Sequence, residues 1–367
     1  MKVPLLEPRP DIERFVGVIR GKVRPSRPPL AELFLDHEVE RTIAQSHLGL
    51  AWVEPAADRD TMAAYLRNRT EVYWRMGYDY IRLSGGVDFP GDYLDAEDTA
   101  ELSRGNRHWA NETRGPIASW DDFEAYPWPD PAKADLFPYE YAATNLPEGM
   151  GLFVCPTSGF LEIPLDTLFG YQNLCYLILE QPDLVEAVFQ RVGETVYAMY
   201  ERLLGLPNLR GFFQGDDMGF KTGTLLSPDH LRSLVLPWHK KLVSLAHNND
   251  LVYLLHSCGN LEKITTDLID EVGIDARHSY EDEGNSVFDF KRLYGDRVSI
   301  LGGVDVDKLS RLSEPELRSH VRGVIDACLP GGRFALGSGN TVCNYVPIEN
   351  YFAMVEEALN YAGDAKA

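Results

Sequence analysis

A histidine and a cysteine stand two residues apart at the end of an apolar, β-favouring run in this sequence. His256 and Cys258 follow residues 251–255, whose composition is that of a buried parallel strand. Because side chains alternate along a strand, both residues should project to the same side. A thiolate and an imidazole that converge suit a soft or borderline cation, zinc first. With Cys343, which follows another strand-like run, they predict a zinc site with three protein ligands and one open position.

Further polar side chains follow the other strand-like runs and become candidates for the same site, because barrel chemistry gathers at the carboxyl ends of strands. The candidates for catalysis are Asp217, His278 and Asp305, and those for substrate binding are Asp216, Ser338 and Asn340. Structural roles are the alternative for several of these residues. Either aspartate could cap a turn or orient His256, and His278 could be a hydrogen-bonded core histidine. His256 could likewise be a hydrogen-bonded histidine at a strand end, and Cys258 and Cys343 could be ordinary core residues.

Short apolar β-type runs alternate with longer helical patterns along the whole chain. Eight such alternations predict an α/β protein with a (β/α)8 TIM barrel, formed as one domain over residues 1–367. An open doubly wound sheet is the alternative, but no G-x-G-x-x-G motif opens a helix after the first strand. The predicted strands cover residues 29–35, 80–83, 151–155, 209–214, 251–256, 273–278, 298–301 and 333–336.

One connection is much longer than the others. Residues from about 85 to 150 separate the second predicted strand from the third, and we interpret them as an insertion in the barrel. A loop of this length in a compact barrel is usually functional, and Trp109, Trp120 and Trp128 favour a cover over an apolar ligand. A solvated insertion with helices of its own is the alternative.

The amino-acid composition limits the kinds of binding partner that are expected for this protein. The 367 residues carry a formal net charge of −21 without a cluster of lysine and arginine, so neither a nucleic acid nor an anionic membrane is expected as a partner. No apolar run approaches the roughly 18 residues of a membrane span, and residues 1–15 lack the apolar region of a signal peptide. Five scattered cysteines favour reduced thiols over disulfides. We therefore expect a soluble cytoplasmic protein.

Three stretches of the sequence have the character of family motifs. They are His256-x-Cys258-Gly259-Asn260, Gly302-Gly303-Val304-Asp305 and the ending Gly337-Ser338-Gly339-Asn340…Cys343…Pro347-x-Glu349-Asn350. Together with the order of elements, which extends over nearly the whole chain, they resemble the uroporphyrinogen decarboxylase superfamily. This resemblance implies a single (β/α)8 barrel with one of two activities. One is cofactor-free decarboxylation of uroporphyrinogen, and the other is methyl transfer linked to a corrinoid.

Two features of the decarboxylases are missing from this sequence. Their N-terminal Met-Arg-Gln-Ala-Gly-Arg segment, whose arginines hold the substrate carboxylates, has no counterpart in residues 15–35. Their histidine near the last strand is replaced here by Ser338-Gly339-Asn340. The resemblance is therefore closer to the corrinoid-dependent methyltransferases than to the true decarboxylases.

The methyltransferase branch implies a zinc ion, held by a His-x-Cys pair and a later cysteine, that activates a thiol. His256 and Cys258 match this motif directly, and Cys343 matches it more loosely. We expect a methyl group to move between a small substrate and a corrinoid carried by a separate protein. The alternatives are a decarboxylase in which Asp216 or Asp217 protonates a carbanion, and a non-catalytic barrel that binds a tetrapyrrole or a partner.

Overall fold

The computed structural model describes residues 1–100 and 102–362 of the protein. Strands alternate with helices along the chain, as the sequence pattern predicts. In chain order the strands are β1 (Tyr80–Ser84), β2 (Tyr93–Glu97), β3 (Asn106–Ala110), β4 (Gly151–Cys155), β5 (Leu209–Gly215), β6 (Gly219–Phe220), β7 (Gly223–Thr224), β8 (Val252–His256), β9 (Ala276–His278), β10 (Ser299–Val304) and β11 (Phe334–Ser338).

Seven of these strands form one parallel sheet that curls toward a barrel. The sheet has the order β1-β4-β5-β8-β9-β10-β11, so neighbouring strands follow each other along the chain. Their carboxyl ends therefore lie at one edge, where polar residues from distant parts of the sequence can meet. The α/β class and the TIM-barrel-like arrangement predicted from the sequence are confirmed.

The eighth position of the predicted barrel is filled without a regular strand. Residues 29–35 make only isolated parallel bridges, to β11 and to the loop after it. On their other side, the Tyr80 hydroxyl accepts from the Glu32 backbone N–H at 3.0 Å and donates to the Glu32 carbonyl at 2.9 Å. The prediction of eight regular strands is thus wrong by one, because a tyrosine side chain takes the place of a backbone ladder beside β1.

Helices connect the strands and begin where the sequence places capping residues and prolines. Ser227 and Pro228 open the helical turn Pro228–His230, and Pro347 precedes the helix Ile348–Asn360, as predicted. The helices are α1 (Ile12–Ile19), α2 (His37–Thr42), α3 (Arg59–Met76), α4 (Trp120–Ala125), α5 (Phe137–Asn145), α6 (Tyr171–Glu180), α7 (Pro182–Leu203), α8 (Pro228–His230), α9 (Leu236–Asn248), α10 (Glu262–Thr266), α11 (Val287–Tyr294), α12 (Val306–Arg311), α13 (Glu314–Cys328) and α14 (Ile348–Asn360). Wider π-helical turns cover Ile43–His47, Ile163–Phe169, Leu231–Val235 and Asp267–Val272, and a 3-10 turn covers Pro131–Lys133.

The interior of the barrel changes from apolar to polar along the strands. Helix α1 lies at the amino ends of the strands and packs Phe15 against Tyr80, with ring centroids 5.0 Å apart. Leu254 of β8 belongs to the same buried apolar cluster. Two residues farther along β1 and β8 stand Arg82 and His256, which share the inward direction of Tyr80 and Leu254 because side chains alternate. The apolar layer therefore supports a polar layer at the carboxyl ends.

The long connection between β1 and β4 contains the antiparallel hairpin β2–β3, followed by α4 and α5. Trp109 and Trp120 are about half exposed, at 54% and 46%, whereas Trp128 packs against Phe123 and Tyr126. That this segment is an insertion in the barrel stays a prediction. Among the described helices, none combines the length and apolar character that crossing a bilayer requires.

Candidate metal centre and cavity

Three side chains with different ligand atoms converge at the carboxyl ends of β5 and β8. His256 Nε2 lies 3.4 Å from Asp217 Oδ1 and 3.5 Å from Cys258 Sγ. The ligand atoms of all three residues lie within 4.8 Å of one another. Carboxylate, imidazole and thiolate groups at this spacing are suited to a single metal ion.

The register of the sheet produces this convergence. Gly215 of β5 pairs with His256 of β8, so Asp217 and Cys258, each two residues farther along, also come side by side. The Cys258 backbone N–H donates to Asp217 Oδ1 at 2.7 Å and holds the carboxylate there. Asp217 was predicted as a catalytic residue, and its place beside the two predicted ligands follows from strand pairing rather than from any spacing in the sequence.

A second histidine fixes the ring nitrogen that His256 presents to this cluster. His278 Nε2 lies 3.0 Å from the Ser338 carbonyl, which can only accept, so this nitrogen carries a proton. Burial, followed by the charge of His256, holds the pKa of His278 well below its usual range. The ring is therefore neutral, and its Nδ1 accepts from His256 Nδ1 at 2.7 Å. With its own proton on Nδ1, a neutral His256 has a lone pair on Nε2 that faces Asp217 and Cys258.

Glycine at position 302 makes this histidine relay possible. The relay is the series of hydrogen bonds from His256 to His278 and from His278 to the Ser338 carbonyl. Gly302 lies between His278 and Ser338, and a Cβ there would come within 2.9 Å of His278 Nε2 and 2.3 Å of the Ser338 carbonyl oxygen. Its φ of +90° also favours glycine over other residues. The glycines at the ends of the predicted strands thus include one that lets a buried histidine reach a backbone carbonyl two strands away.

The sulfur of Cys258 is surrounded by hydrogen-bond donors. Asn340 Nδ2 donates to Cys258 Sγ at 3.1 Å, and Ser279 Oγ lies 3.7 Å from the same atom. Burial, followed by the negative charge of Asp217, raises the pKa of the Cys258 thiol well above its usual range. A cation between these groups would offset both effects and stabilise the thiolate. The donor set therefore fits a metal ion.

A cavity of about 890 Å³ lies beside these three side chains, and Asp217, His256 and Asn340 form part of its wall. Its size suits a small molecule rather than a macromolecule. Aromatic and aliphatic side chains form much of the remaining wall. Among them are Phe34, Val87, Phe89, Tyr93 and Ile163. The aromatic residues at the cavity are therefore different from the three tryptophans that the sequence analysis singled out.

Two charged residues of the cavity wall were not predicted. Arg82 lies inside β1, and Glu162 precedes the π-helical turn Ile163–Phe169. Burial, followed by the charges of Asp217 and Asp216, raises the pKa of Glu162 to about 8. Ser158 Oγ donates to this carboxyl group at 2.6 Å. An arginine within an apolar strand was the available signal for Arg82, whereas nothing in the sequence near Glu162 indicates its altered acidity.

Asp216 points away from the cavity and is fully buried. Its two carboxylate oxygens accept from the backbone N–H groups of Phe160, Leu161 and Glu162 at 2.9–3.2 Å. His239 Nε2 lies 2.7 Å from one of them. These contacts hold the loop that carries Glu162 against β5. A substrate contact by Asp216 stays a prediction, and its partners favour a structural role.

Ser338 is also fully buried and has partners within the protein. Its Oγ donates to Glu32 at 2.6 Å, its N–H donates to the same carboxyl group at 2.7 Å, and its carbonyl accepts from His278. Ser338 therefore connects residues 29–35 to β11 and to the histidine relay. Direct binding of substrate by Ser338 stays a prediction, whereas Asn340 does face the cavity.

Cys343 and Asp305 lie at a neighbouring cavity of about 800 Å³. Cys343 Sγ lies 3.3 Å from Thr341 Oγ1, and the cysteine is not part of the group whose ligand atoms converge within 4.8 Å. Asp305 caps α12 through the backbone N–H of Asp307 at 2.8 Å and also accepts from the Asp282 N–H. The structure thus brings Asp217, and not Cys343, to His256 and Cys258. A ligand role for Cys343 and a catalytic role for Asp305 stay predictions.

Comparison with known sequences agrees with this arrangement. Residues 111–361 match the family described as uroporphyrinogen decarboxylase (URO-D). The chain belongs to the uroporphyrinogen decarboxylase family. That match includes Asp217, His256 and Cys258. No curated protein sequence matches the chain.

The chain was also compared with solved structures of other proteins. A methyltransferase from Methanosarcina mazei is 17% identical, with a TM-score of 0.68 over 94% of this chain and 97% of that chain. A protein described as a vitamin-B12-independent methionine synthase from Listeria monocytogenes is 12% identical, with a TM-score of 0.48 over 92% of this chain and 96% of that chain. The first comparison shows that this chain shares its fold with the Methanosarcina mazei protein.

Proposed function

We propose that this protein is a methyltransferase that moves a methyl group between a small substrate and a corrinoid cofactor carried by a separate protein. The observation that carries the proposal is the convergence of Asp217, His256 and Cys258 ligand atoms within 4.8 Å at the wall of a cavity. Membership of the uroporphyrinogen decarboxylase family and the fold shared with the Methanosarcina mazei methyltransferase support the same activity.

We propose zinc as the metal that Asp217, His256 and Cys258 hold. All three side-chain types are zinc ligands, and the hydrogen bond from His256 to His278 is the kind of support that such a ligand receives. Zinc bound there would supply Lewis acidity, which lowers the pKa of a substrate thiol or polarises an ether oxygen. Cys343 remains a predicted ligand whose contribution a variant can test.

Residues of the protein itself orient the proposed metal ligands and supply a proton for the reaction. His278 holds the ring of His256, and Asn340 donates to the sulfur of Cys258. Glu162, whose pKa is raised to about 8, carries a proton at neutral pH and faces the cavity. If the methyl donor is an ether, this carboxyl group can donate its proton to the departing oxygen.

Decarboxylation of a polycarboxylate is a second candidate, which the family match favours. Burial of several carboxylates requires several cations. Among the described residues that line the cavity, Arg82 is the one lysine or arginine, whereas Asp88, Glu162 and Asp217 are acidic. This balance of charge favours methyl transfer over the decarboxylation of uroporphyrinogen.

Metal content tests the site directly. Protein purified without chelator should contain about one zinc per chain, as a three-ligand catalytic site does. Cys258→Ala should lose the zinc and keep its circular dichroism spectrum, whereas the matched control Cys175→Ala, at an exposed cysteine, should keep the zinc. Cys343→Ala shows whether the later cysteine contributes. Full zinc content in Cys258→Ala would contradict the metal site.

Corrinoid spectra test the reaction. Zinc-loaded protein is mixed with methylcobalamin and thiols, or with cob(I)alamin and methyl ethers, and the change between the two corrinoid spectra is followed. We expect transfer by the wild type and loss of transfer in His256→Ala. Formation of coproporphyrinogen from uroporphyrinogen, without any corrinoid spectral change, would instead show that the protein is a decarboxylase.

A further inference from the structure

Arg82 presents a buried positive charge to the cavity. Its side chain lies within β1 and is only 7% exposed. The Nε group donates to the Phe213 carbonyl at 2.9 Å, and the guanidinium carbon lies 5.5 Å from the centre of the Phe213 ring. These contacts account for one of its three nitrogens and for one face of the group. In the described part of the chain, no carboxylate lies within ion-pair distance of Arg82.

A partly buried arginine of this protein shows the arrangement that a structural role requires. Arg69 forms three hydrogen bonds to the carboxylate of Glu40, at 2.8–3.1 Å, through Nε and Nη2. Such a bidentate pair satisfies both the charge and the planar set of donors. Arg82 has the same donors and is more deeply buried, but its pairing within the described residues is limited to one carbonyl. A largely buried arginine without a carboxylate partner is unfavourable in a protein, so its presence in a cavity wall is a sign of a ligand.

Arg82 is on a different strand from the residues of the candidate metal centre. Arg82 is on β1, whereas Asp217 and Cys258 follow β5 and β8, and β4 lies between β1 and β5. The wall of the same cavity also contains Phe89 and Tyr93. The cavity wall therefore combines a cation, aromatic surface and two of the three candidate metal ligands, Asp217 and His256.

We infer that the cavity binds a small apolar substrate with one carboxylate group, which pairs with Nη1 and Nη2 of Arg82 above the ring of Phe213. The inference rests on the proposed function, since it names the substrate class of the same site. A bidentate pair would hold the carboxylate in one plane, and the apolar body would lie along the aromatic wall. The opposite end of the molecule then faces Asp217 and His256, where methyl transfer is proposed to occur. Arg82 thereby acts as a residue that determines specificity.

Calorimetric binding of benzoate and benzamide, which differ in charge but little in shape, tests this inference. The wild type should bind benzoate at least about tenfold more tightly than benzamide, because charge-assisted pairs are roughly twice as strong as neutral ones. Arg82→Met should weaken benzoate binding roughly ten- to hundredfold and weaken benzamide binding much less, because benzamide has only one oxygen and no charge with which to pair. Arg311→Met, at an exposed arginine, is the matched control and should bind both probes as the wild type does.

Thermal unfolding of the ligand-free variants separates a binding role from a structural one. Removal of an unpaired charge should leave Tm unchanged or raise it in Arg82→Met, whereas loss of a structural ion pair would lower it. Equal affinity of the wild type for benzoate and benzamide would overturn the inference without any variant. So would benzoate binding that is unchanged in a folded Arg82→Met protein.

The benzoate-binding experiment and the corrinoid experiment test two separate proposals, so a negative result in one does not decide the other. Preference for benzoate that depends on Arg82, in a protein that binds no zinc and transfers no methyl group, would refute the proposed function and leave the carboxylate site standing. Methyl transfer that needs His256, in a protein without preference for benzoate, would refute the carboxylate site and leave the proposed function standing.

Discussion

His278 determines which ring nitrogen of His256 is free to bind a metal. Its Nδ1 accepts the proton of His256 Nδ1, so the other nitrogen of His256 is free to bind a metal. We predict that His278→Phe, which keeps a ring beside Phe213 but removes the acceptor, lowers zinc affinity roughly 10–100-fold, as loss of such supporting bonds does. Competition with a chelating dye measures the affinity. His230→Phe, on α8, is the control and should bind zinc as the wild type does.

The zinc titration of His278→Phe has two informative outcomes. Reduced affinity in His278→Phe with an unchanged circular dichroism spectrum would support a positioning role for the second histidine. Wild-type zinc affinity in the folded variant would show that His256 needs no partner to present its lone pair, and the assigned direction of the relay would be wrong.

Glu32 makes stability depend on pH. Burial raises its pKa to about 8, although hydrogen bonds from Ser338 oppose the shift. Since the carboxyl group is neutral in the folded protein and ionised when unfolded, its contribution to stability is fully present below about pH 4.5 and is lost as pH rises toward 8. We predict that Glu32→Gln removes this loss, which is at most about 1.4 kcal/mol per pH unit.

Urea unfolding between pH 5 and 8 tests the prediction for Glu32. The free energy of unfolding of Glu32→Gln should improve relative to wild type as pH rises, whereas the exposed control Glu180→Gln should run parallel to wild type. A constant difference between Glu32→Gln and wild type over this range would mean that Glu32 is ionised in the folded protein.

At the scale of elements, the contact between residues 29–35 and β1 depends on a tyrosine. The Tyr80 hydroxyl satisfies the backbone N–H and the carbonyl of Glu32 where a strand ladder would otherwise do so. We predict that Tyr80→Phe destabilises the protein by about 1–3 kcal/mol for each buried backbone group left without a partner. Urea unfolding with an unchanged m-value measures this loss.

Tyr78→Phe is the matched comparison for Tyr80→Phe. Tyr78 is equally buried, but its hydroxyl bonds to the hydroxyl of Tyr351 at 2.9 Å, so no backbone group loses a partner. Its destabilisation should be clearly smaller. Equal losses in the two variants would mean that the contact between residues 29–35 and β1 does not depend on the Tyr80 hydroxyl.

At the scale of the whole molecule, the net charge of −21 opposes compaction. Like charges repel one another in the folded state, and salt screens that repulsion over a distance of about 10 Å at 0.1 M. We predict that Tm rises as NaCl increases from about 20 mM to about 200 mM, where the screening length falls below the size of a small domain. Glucose at the same osmolality is the uncharged control and should have a smaller effect. A Tm that falls over this range would show that attractive surface pairs outweigh the repulsion.

Local patterns in the sequence were sufficient to predict the strands of the sheet and several helix starts. Apolar runs predicted the seven strands of the sheet, and Ser227, Pro228 and Pro347 marked helix starts that the structure confirms. The family was recognised from the motif around His256 and Cys258 and from the glycine-rich strand ends, and the match over residues 111–361 confirms it. These features depend on residues that lie close together in the chain, so the sequence alone is enough to predict them.

The composition of the site was decided by tertiary structure. Strand register places Asp217 beside Cys258, the absence of a side chain at Gly302 lets His278 reach across β10, and the curl of the sheet turns Arg82 into the cavity. By itself, the sequence determined that a histidine and a cysteine would stand together at a strand end. It could not determine their third neighbour, because that choice depends on the pairing of strands and the path of loops that lie far apart in the chain.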